Sequence, residues 1–365
     1  MASASPDVLR AGTDQRVLEL LYDGPRSRAE LAAVGGISKP TASESVRRLE
    51  TRGVVAETGE RRHGVGRTAT LIGIRADIGV GLAVSIEAGG VRASTHTVSG
   101  EIVQEAEVTL PPTHGPRSVA GALGKAVRAV AGSSDHPICA AAVSAADPVR
   151  RSDGRLVELP DAPFLVGSLD ARRKLSPYVA GEVLVDNDVN WAAGAELSAL
   201  PERPDFGYLH LGSGLGGAVV SDGEVRRGHH GFVGEIAHVI VPGPSGLAMP
   251  ITDVFAEMGL RQPNSTAIDL NAVRRAFDDA PASAVLGQAL AAVVGAFVAL
   301  ADPSEVIVAG PWGAAALPSL AAALSEGPRP APLVAATVTD ASATGVRDGA
   351  VAGLRSWVSA VAAAD

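Results

Sequence analysis

Between Asp14 and Ile74 three helix-forming stretches, separated by breakers at short intervals, lead into two strand-forming stretches, and that spacing leaves few folds open. Asp14 to Leu21 puts Val17, Leu18, Leu20 and Leu21 on one helical face before Asp23-Gly24-Pro25 breaks it. Ser27-Arg28-Ala29-Glu30 is a capping box, in which the serine and glutamate side chains each satisfy a free backbone N–H at a helix start. Gly35-Gly36 ends that short helix, and Ser38 caps a third, with Pro40 tolerated in its first turn. The third helix runs to about Thr51, with Val46 and Leu49 inward and Arg47 and Arg48 outward, and Gly53 stops it. Val54-Val55-Ala56, a polar turn from Glu57 to Gly66, and Thr68 to Ile74 then predict a hairpin whose tip carries Arg61, Arg62, His63 and Arg67.

This order predicts a winged helix-turn-helix over residues 1–75. The competing reading is a small helical dimerisation domain with a basic loop, and the short apolar turn Val34 to Ile37 favours the first. In a winged helix-turn-helix the third helix enters the major groove. Ser38, Lys39, Thr41 and Ser43 are small or basic side chains that allow close approach. Arg47 and Arg48 suit phosphates, and Arg61, Arg62 and Arg67 would track the backbone or a minor groove. Charge agrees: residues 1–75 hold 12 Lys and Arg against 9 Asp and Glu, net +3, whereas the remainder holds 19 against 31, net −12.

The chain of 365 residues is long enough for two or three domains, and 46% hydrophobic residues suffice for large cores. Aromatics at 3% argue against stacking platforms for single-stranded nucleic acid. A single cysteine, Cys139, excludes an internal disulfide and any cysteine-based zinc cluster. Residues 1–15 lack the apolar stretch of a secretory signal, and Gly, Pro or charge breaks the apolar runs before 18 residues. The expectation is a soluble, cytoplasmic protein without a membrane partner.

Residues 76–365 alternate strand-like and helix-like patterns, which predicts an α/β body. Gly81 to Ile86 and Val91 to Val98 read as a hairpin, Val119 to Ala131 as a helix, and Ile138 to Val143 as a buried strand. Val183 to Val185 is a short strand ending at Asp186-Asn187-Asp188-Val189-Asn190, with a helix to about Leu200 after it. Phe206 to Leu211 is a strand that runs into Gly212-Ser213-Gly214-Leu215-Gly216-Gly217. Glycines so dense either turn a tight hairpin or bring backbone N–H groups to a phosphate. Val306 to Gly310 is a strand leading to a small-residue turn, and Asp348 to Ala363 a closing helix.

Ser27 to Ala32, Gly36 to Ser43, Leu49 to Val55 and Gly66 to Leu71 together resemble the DNA-binding head of the ROK family of repressors, open reading frames and sugar kinases. The likeness is to its repressors, which include xylose-responsive and N-acetylglucosamine-responsive regulators. The body is similar to that family's two-lobed, actin-like sugar-kinase fold, and four segments carry the similarity. The resemblance implies that Asp186 to Asn190 holds the family's catalytic base, at Asp188. It implies that Leu211 to Val219 is a second phosphate loop, in which Gly212, Gly214, Gly216 and Gly217 would be vestigial. It implies that Gly231 to His238 touches sugar and that Val306 to Gly313 lies on the adenosine side. Asn187, Asp188, Glu235 and His238 would then form a polar cup around a sugar-like effector.

The sequence departs from that family at three places. Where its kinases carry an Asp-x-Gly-x-Thr phosphate loop, this chain has Ser85-Ile86-Glu87-Ala88-Gly89, with Ser85 replacing the magnesium-associated Asp and Glu87 the close-approach Gly. A carboxylate facing a triphosphate is repelled by about 1–4 kcal/mol at about 4 Å, between water-like and surface-like dielectric. Residues 239–250 lack the cysteines of the family's zinc loop, and Asp161 stands where a sugar-contacting Asn is usual. The resulting expectation is a DNA-binding regulator, read as a repressor, that works as a homodimer or dimer of dimers on a double-stranded operator. It responds to a sugar or sugar-like effector, holds no metal or cofactor, and is not an enzyme. The alternatives are an ATP-dependent sugar kinase with a DNA-binding head and a regulator with a non-sugar ligand.

Overall fold

The structure, a computed structural model, describes residues 6–64, 67–111, 114–133, 135–157, 169–325 and 331–364. Asp161 and the side chains of Arg62 and Arg67 lie outside the described residues. The head comprises α1 (Pro6–Tyr22), α2 (Arg28–Gly35), α3 (Lys39–Thr51), β1 (Val55–Gly64) and β2 (Arg67–Ile74), the two strands pairing antiparallel. Local chemistry sets its boundaries. Ser27 and Glu30 close the capping box on α2, and Gly36 ends that helix at φ 63°. Ser38 accepts from the Thr41 N–H at the start of α3. The stretch from Glu57, expected as a polar turn, is mostly strand, so Arg61 and Arg62 lie in β1 opposite Thr70 and Ala69.

The body holds two five-stranded sheets of one topology. The first lobe contains β3 (Val80–Glu87), β4 (Gly90–His96), β5 (Ile102–Thr109), α4 (Pro116–Gly132), β6 (Ile138–Ala145), α5 (Ala171–Leu175), β7 (Val183–Asn187) and α6 (Asp188–Ala199). Its strand order is β5-β4-β3-β6-β7, with the β3–β4–β5 meander antiparallel and β3, β6 and β7 parallel. The second lobe contains β8 (Phe206–Leu211), β9 (Leu215–Ser221), β10 (Glu224–Val225), β11 (Ile240–Pro242), β12 (Ala248–Pro250), α7 (Ile251–Glu257), α8 (Leu270–Asp278), α9 (Ala280–Ala301), β13 (Glu305–Ala309), α10 (Gly313–Ser325) and β14 (Leu333–Ala335). Its order, β10-β9-β8-β13-β14, repeats the same mixture of antiparallel and parallel pairs. The long α11 (Ala341–Ala363) then returns to pack on the first lobe.

Each lobe has its own core. Leu82, Val84, Leu123, Val127 and Val143 are buried in the first, and Leu209, Leu290, Val294, Trp312 and Leu320 in the second. Gly287 and Gly295 interrupt the apolar run of α9 as expected, yet this 22-residue helix contains an 18-residue stretch with a mean hydropathy of 2.2, enough by length and composition to cross a membrane. Its Leu286, Leu290, Val293 and Val294 are buried in the second lobe's core, so packing accounts for that composition.

Head and body share a third core. Val17, Leu18 and Leu21 of α1 are buried together with Leu354, Val358 and Ala362 of α11. The Tyr22 hydroxyl lies 3.0 Å from both the Arg355 carbonyl and the Ser359 Oγ, and the Arg355 guanidinium stacks 5.1 Å from the Tyr22 ring centre. Arg355 Nε also donates to the Val98 carbonyl, which joins the head, α11 and the first lobe.

Candidate functional site

On the head, Ser38, Lys39, Thr41, Ser43 and Arg47 all lie exposed on or just before α3. Arg47 is 72% exposed and, among the described residues, pairs only with Glu44 on the same face, so its guanidinium is within reach of an approaching polyanion. Arg48 differs from the outward placement that periodicity predicts. It is 22% exposed and grips the buried Asp14 of α1 through two hydrogen bonds, while Ser45 donates to the same carboxylate. A charge buried at a helix crossing needs such partners, so Arg48 fixes α3 on α1. Arg61 is exposed on β1.

In the body, a cavity of about 160 Å³ opens between the lobes. Asn187, Asp188, Glu235 and His238 line it, as do Gly214, Gly216 and Gly217. The structure therefore brings together four of the five side chains singled out as effector contacts. Asn187 has a second duty: its Oδ1 caps α6 by accepting from Val189 N–H at 2.8 Å, and its Nδ2 donates to the Ala146 carbonyl at 3.2 Å. Asp188 Oδ1 also accepts from Val189 N–H, which leaves Oδ2 as the oxygen for a ligand. Glu235 is placed by Gly234, which sits at φ 92° where an added Cβ would lie 1.9 Å from the Gly217 carbonyl. Gly217 N–H in turn donates to the Gly234 carbonyl at 2.9 Å.

Electrostatics sharpen the picture. Burial pushes Asp188 up to about 7, with Glu87 adding like-charge repulsion. Burial likewise pushes Glu235 up to about 7, reinforced by Asp188 and Asp147. His210 is held below the ordinary histidine range by burial, so it faces the cavity as a neutral ring. Near neutral pH both carboxyls populate the protonated and the ionised form, so with the His210 imidazole the site can donate as well as accept hydrogen bonds, the repertoire that polyol recognition requires.

A second cavity of about 560 Å³ adjoins the first, and Asp188, Val189 and His210 line both. Glu87, Asp340 and Arg92 also border it. Sequence reasoning missed His210, Asp147, Tyr208 and Arg92, because none sits in a recognisable spacing and only the fold converges them. The turn after β8 is a tight hairpin. Gly212 N–H donates to the Gly214 carbonyl, Trp312 Nε1 donates to the Gly212 carbonyl, and Ile268 N–H to that of Ser213. The cysteine-free segment 239–250 closes as the β11–β12 hairpin, and among the described residues no group of His, Cys, Asp and Glu could hold a metal ion.

One helix reaches from the cleft to the head. Ala341, Ser342 and Ala343 at the start of α11 line the second cavity, and Ser342 Oγ lies 3.0 Å from Ser144 Oγ on β6. The helix continues for 23 residues, about 35 Å at 1.5 Å per residue, into the core it shares with α1. The fully buried Glu196 secures its approach by accepting from the N–H groups of Thr337 and Val338 and from the Thr337 hydroxyl.

Residues 83–326 match the model of the ROK family, and residues 12–64 match that of the MarR family. A glucokinase of Streptomyces coelicolor is 28% identical over 172 residues, 46% of this chain and 52% of that protein. The xylose repressor of Bacillus subtilis is 22% identical over 243 residues, 61% of this chain and 58% of that one. The chain thus spans about half the length of the curated relatives it matches. A crystal structure of a ROK family transcriptional regulator, homologous to the E. coli MLC protein, superposes with a TM-score of 0.66 at 19% identity, over 96% of this chain and 99% of that one. That likeness covers head and body alike: a winged helix-turn-helix followed by a two-lobed sugar-kinase-like fold.

Proposed function

The chain belongs to the ROK family, and we propose that within it the protein is a DNA-binding transcriptional regulator, a repressor, whose cleft senses a sugar or sugar-like effector. Residues 1–75 act as the operator-binding head and residues 76–365 as the effector-binding body. The observation that carries this reading is α11, one continuous helix from the wall of the cleft to the hydrophobic core of the head. A ligand that favours one arrangement of the lobes moves the first turn of α11 and so biases the head; equal affinity for both arrangements would shift nothing. Two heads on a palindrome imply a homodimer or a dimer of dimers. Lys39, Thr41, Ser43 and Arg47 would face the operator, with Ser38 at the helix start and Arg61, Arg62 and Arg67 on the wing. Asp188, Glu235 and His238 would hold the effector, with Asn187 shaping the loop and Asp161 as a further contact. The cytoplasm is the compartment such a regulator needs.

ATP does not fit the second cavity well. Glu87, Asp188 and Asp340 place three carboxylates there against Arg92, and the N–H groups of Gly212 and Gly217 are already bonded within the protein. No step is therefore assigned to ATP or magnesium. One observation favours a kinase as second reading: a carboxyl pushed up to about 7 at Asp188 is well matched to accept a proton near neutral pH. Thermal unfolding of the full chain with D-xylose, D-glucose or N-acetyl-D-glucosamine, each with and without ATP and magnesium, separates the readings. A ligand at 100 times its Kd adds about 2.7 kcal/mol. A shift with sugar alone is expected; a shift that needs both sugar and ATP, with phosphorylated sugar produced, would overturn the regulator reading.

A further inference from the structure

Beside β7, Arg150, Arg151, Arg172 and Arg227 line a further cavity of about 340 Å³, with Asp186 as the one carboxylate among its described lining residues. Two of these guanidinium groups, Arg150 and Arg227, have a carboxylate partner, and the positive charge left on the other two favours a negative ligand between them. Backbone carbonyls hold three of them in place. Arg172 Nε donates to the Val183 carbonyl at 3.1 Å, Arg151 Nη1 to that of Gly228 at 2.9 Å, and Arg227 Nη1 to that of Val225 at 3.0 Å. Among the described residues, neither Arg151 nor Arg172 has a carboxylate partner. Arg150 pairs with the exposed Asp153, and Arg227 Nε donates to Asp186 Oδ2 at 2.6 Å. Each guanidinium has five N–H donors, so most of the donors on Arg151 and Arg172 remain available to a ligand.

We propose that this arginine pocket binds the phosphate group of a small molecule, either inorganic phosphate or a phosphate monoester. Oriented planar forks suit a tetrahedral oxyanion, which accepts two parallel N–H bonds from each. Gly154 leaves room for this arrangement: it sits at φ 70°, and a Cβ there would lie 2.6 Å from the Arg172 guanidinium carbon. The pocket also reaches α11. Trp191 forms part of its wall, and a Cβ at Gly345 or Gly349 of α11 would lie 2.0 Å from the Trp191 carbonyl oxygen or 2.4 Å from its ring. An oxyanion in this pocket would therefore sit beside Trp191, a residue packed against the helix that runs to the head.

The test is calorimetric titration of the full chain with sodium phosphate, D-glucose 6-phosphate, D-glucose, and sodium chloride at matched ionic strength. Saturable one-to-one binding of phosphate or glucose 6-phosphate is expected. The Arg151→Gln/Arg172→Gln variant should weaken it at least about tenfold, the loss expected for charge-assisted hydrogen bonds. Arg150→Gln, which removes a side chain whose one described partner is Asp153, should weaken it without disturbing the fold and guards against a misfolded double variant. Phosphate as tight as the ester identifies a free-phosphate site, and a tighter ester identifies a phosphate-monoester site. No saturable binding below 10 mM, as an order-of-magnitude limit on affinity, or binding unchanged in both folded variants, would overturn the proposal. Glucose binding that survives both variants reports on the cleft, so failure here and failure of the regulator reading are distinguishable.

Discussion

The turn after β3 and the turn after β8 occupy equivalent places in two sheets of one strand order, yet their residues answer to different constraints. After β8, added Cβ atoms would lie 2.8 Å from His210 at Gly212, 2.6 Å from Val189 at Gly216, and 2.7 Å from Phe297 at Gly217. Neighbouring side chains crowd all three positions. After β3, Gly89 has nothing within 4 Å of a would-be Cβ, and Glu87 faces the neighbouring cavity. Packing does not restrict the residue type at Gly89, although at the neighbouring Gly90 a Cβ would lie 2.7 Å from the Val108 carbonyl oxygen. A glycine that packing requires and one that it leaves free look alike in a sequence, and their surroundings tell them apart.

The largest effect that could break this comparison belongs to Gly234→Ala. Its Cβ would collide with the Gly217 carbonyl at positive φ, and the loss should be about 3 kcal/mol or more in urea unfolding. A small loss would show that the second turn is loosely held and its glycines free for another role.

Next in size is a pH effect on the side of the cleft that carries Glu87. Asp188 and Glu235 titrate at about 7 in the folded chain, above their ordinary values, so the folded state binds more protons than the unfolded one between about pH 4 and 7. Stability from these groups is therefore fully present below the unfolded values and is lost as pH rises through 7. Melting temperatures should climb as pH falls from about 8 to about 5, other groups apart, and Asp188→Asn/Glu235→Gln should flatten that slope. Glu87→Gln should lower the Asp188 midpoint but leave it raised, because burial is the first cause. A midpoint unmoved by Glu87→Gln, followed by carboxyl NMR, would separate the two groups electrostatically.

Smaller again is Tyr22→Phe, which removes the hydroxyl contacts to Arg355 and Ser359 and should cost about 1 kcal/mol. It should also make effector-driven release of DNA less complete, as read by fluorescence anisotropy. The smallest is Gly89→Ala, expected to lie within about 0.5 kcal/mol of the parent. A large loss there would erase the contrast between the two turns.

Local signals were the legible ones. The capping box at Ser27, the cap at Ser38 and the strand Phe206–Leu211 follow from neighbours in sequence. The edge strand β5 escaped because Gln104, Glu105 and Glu107 make it half polar, as an exposed edge allows. Arg48 was misplaced outward because its partner Asp14 lies 34 residues away. The cleft was half legible: Asp188 and Glu235 sit in recognisable segments, whereas His210 and Asp147 reach it only through tertiary folding. The link through α11 had no sequence signal, since Leu354 and Val358 read as core for any neighbour.

If the cleft controls the head through α11, effector binding must change DNA affinity. The direct measurement is anisotropy of a labelled operator duplex, selected from genomic fragments by the full chain, titrated with the sugar that raises its melting temperature. The parent should release DNA as sugar is added, and Asp188→Ala should bind the duplex equally well but keep it at every sugar concentration. Release by the Asp188→Ala protein at the parent's sugar concentration, or sugar binding to the parent with no change in DNA affinity, would contradict the account.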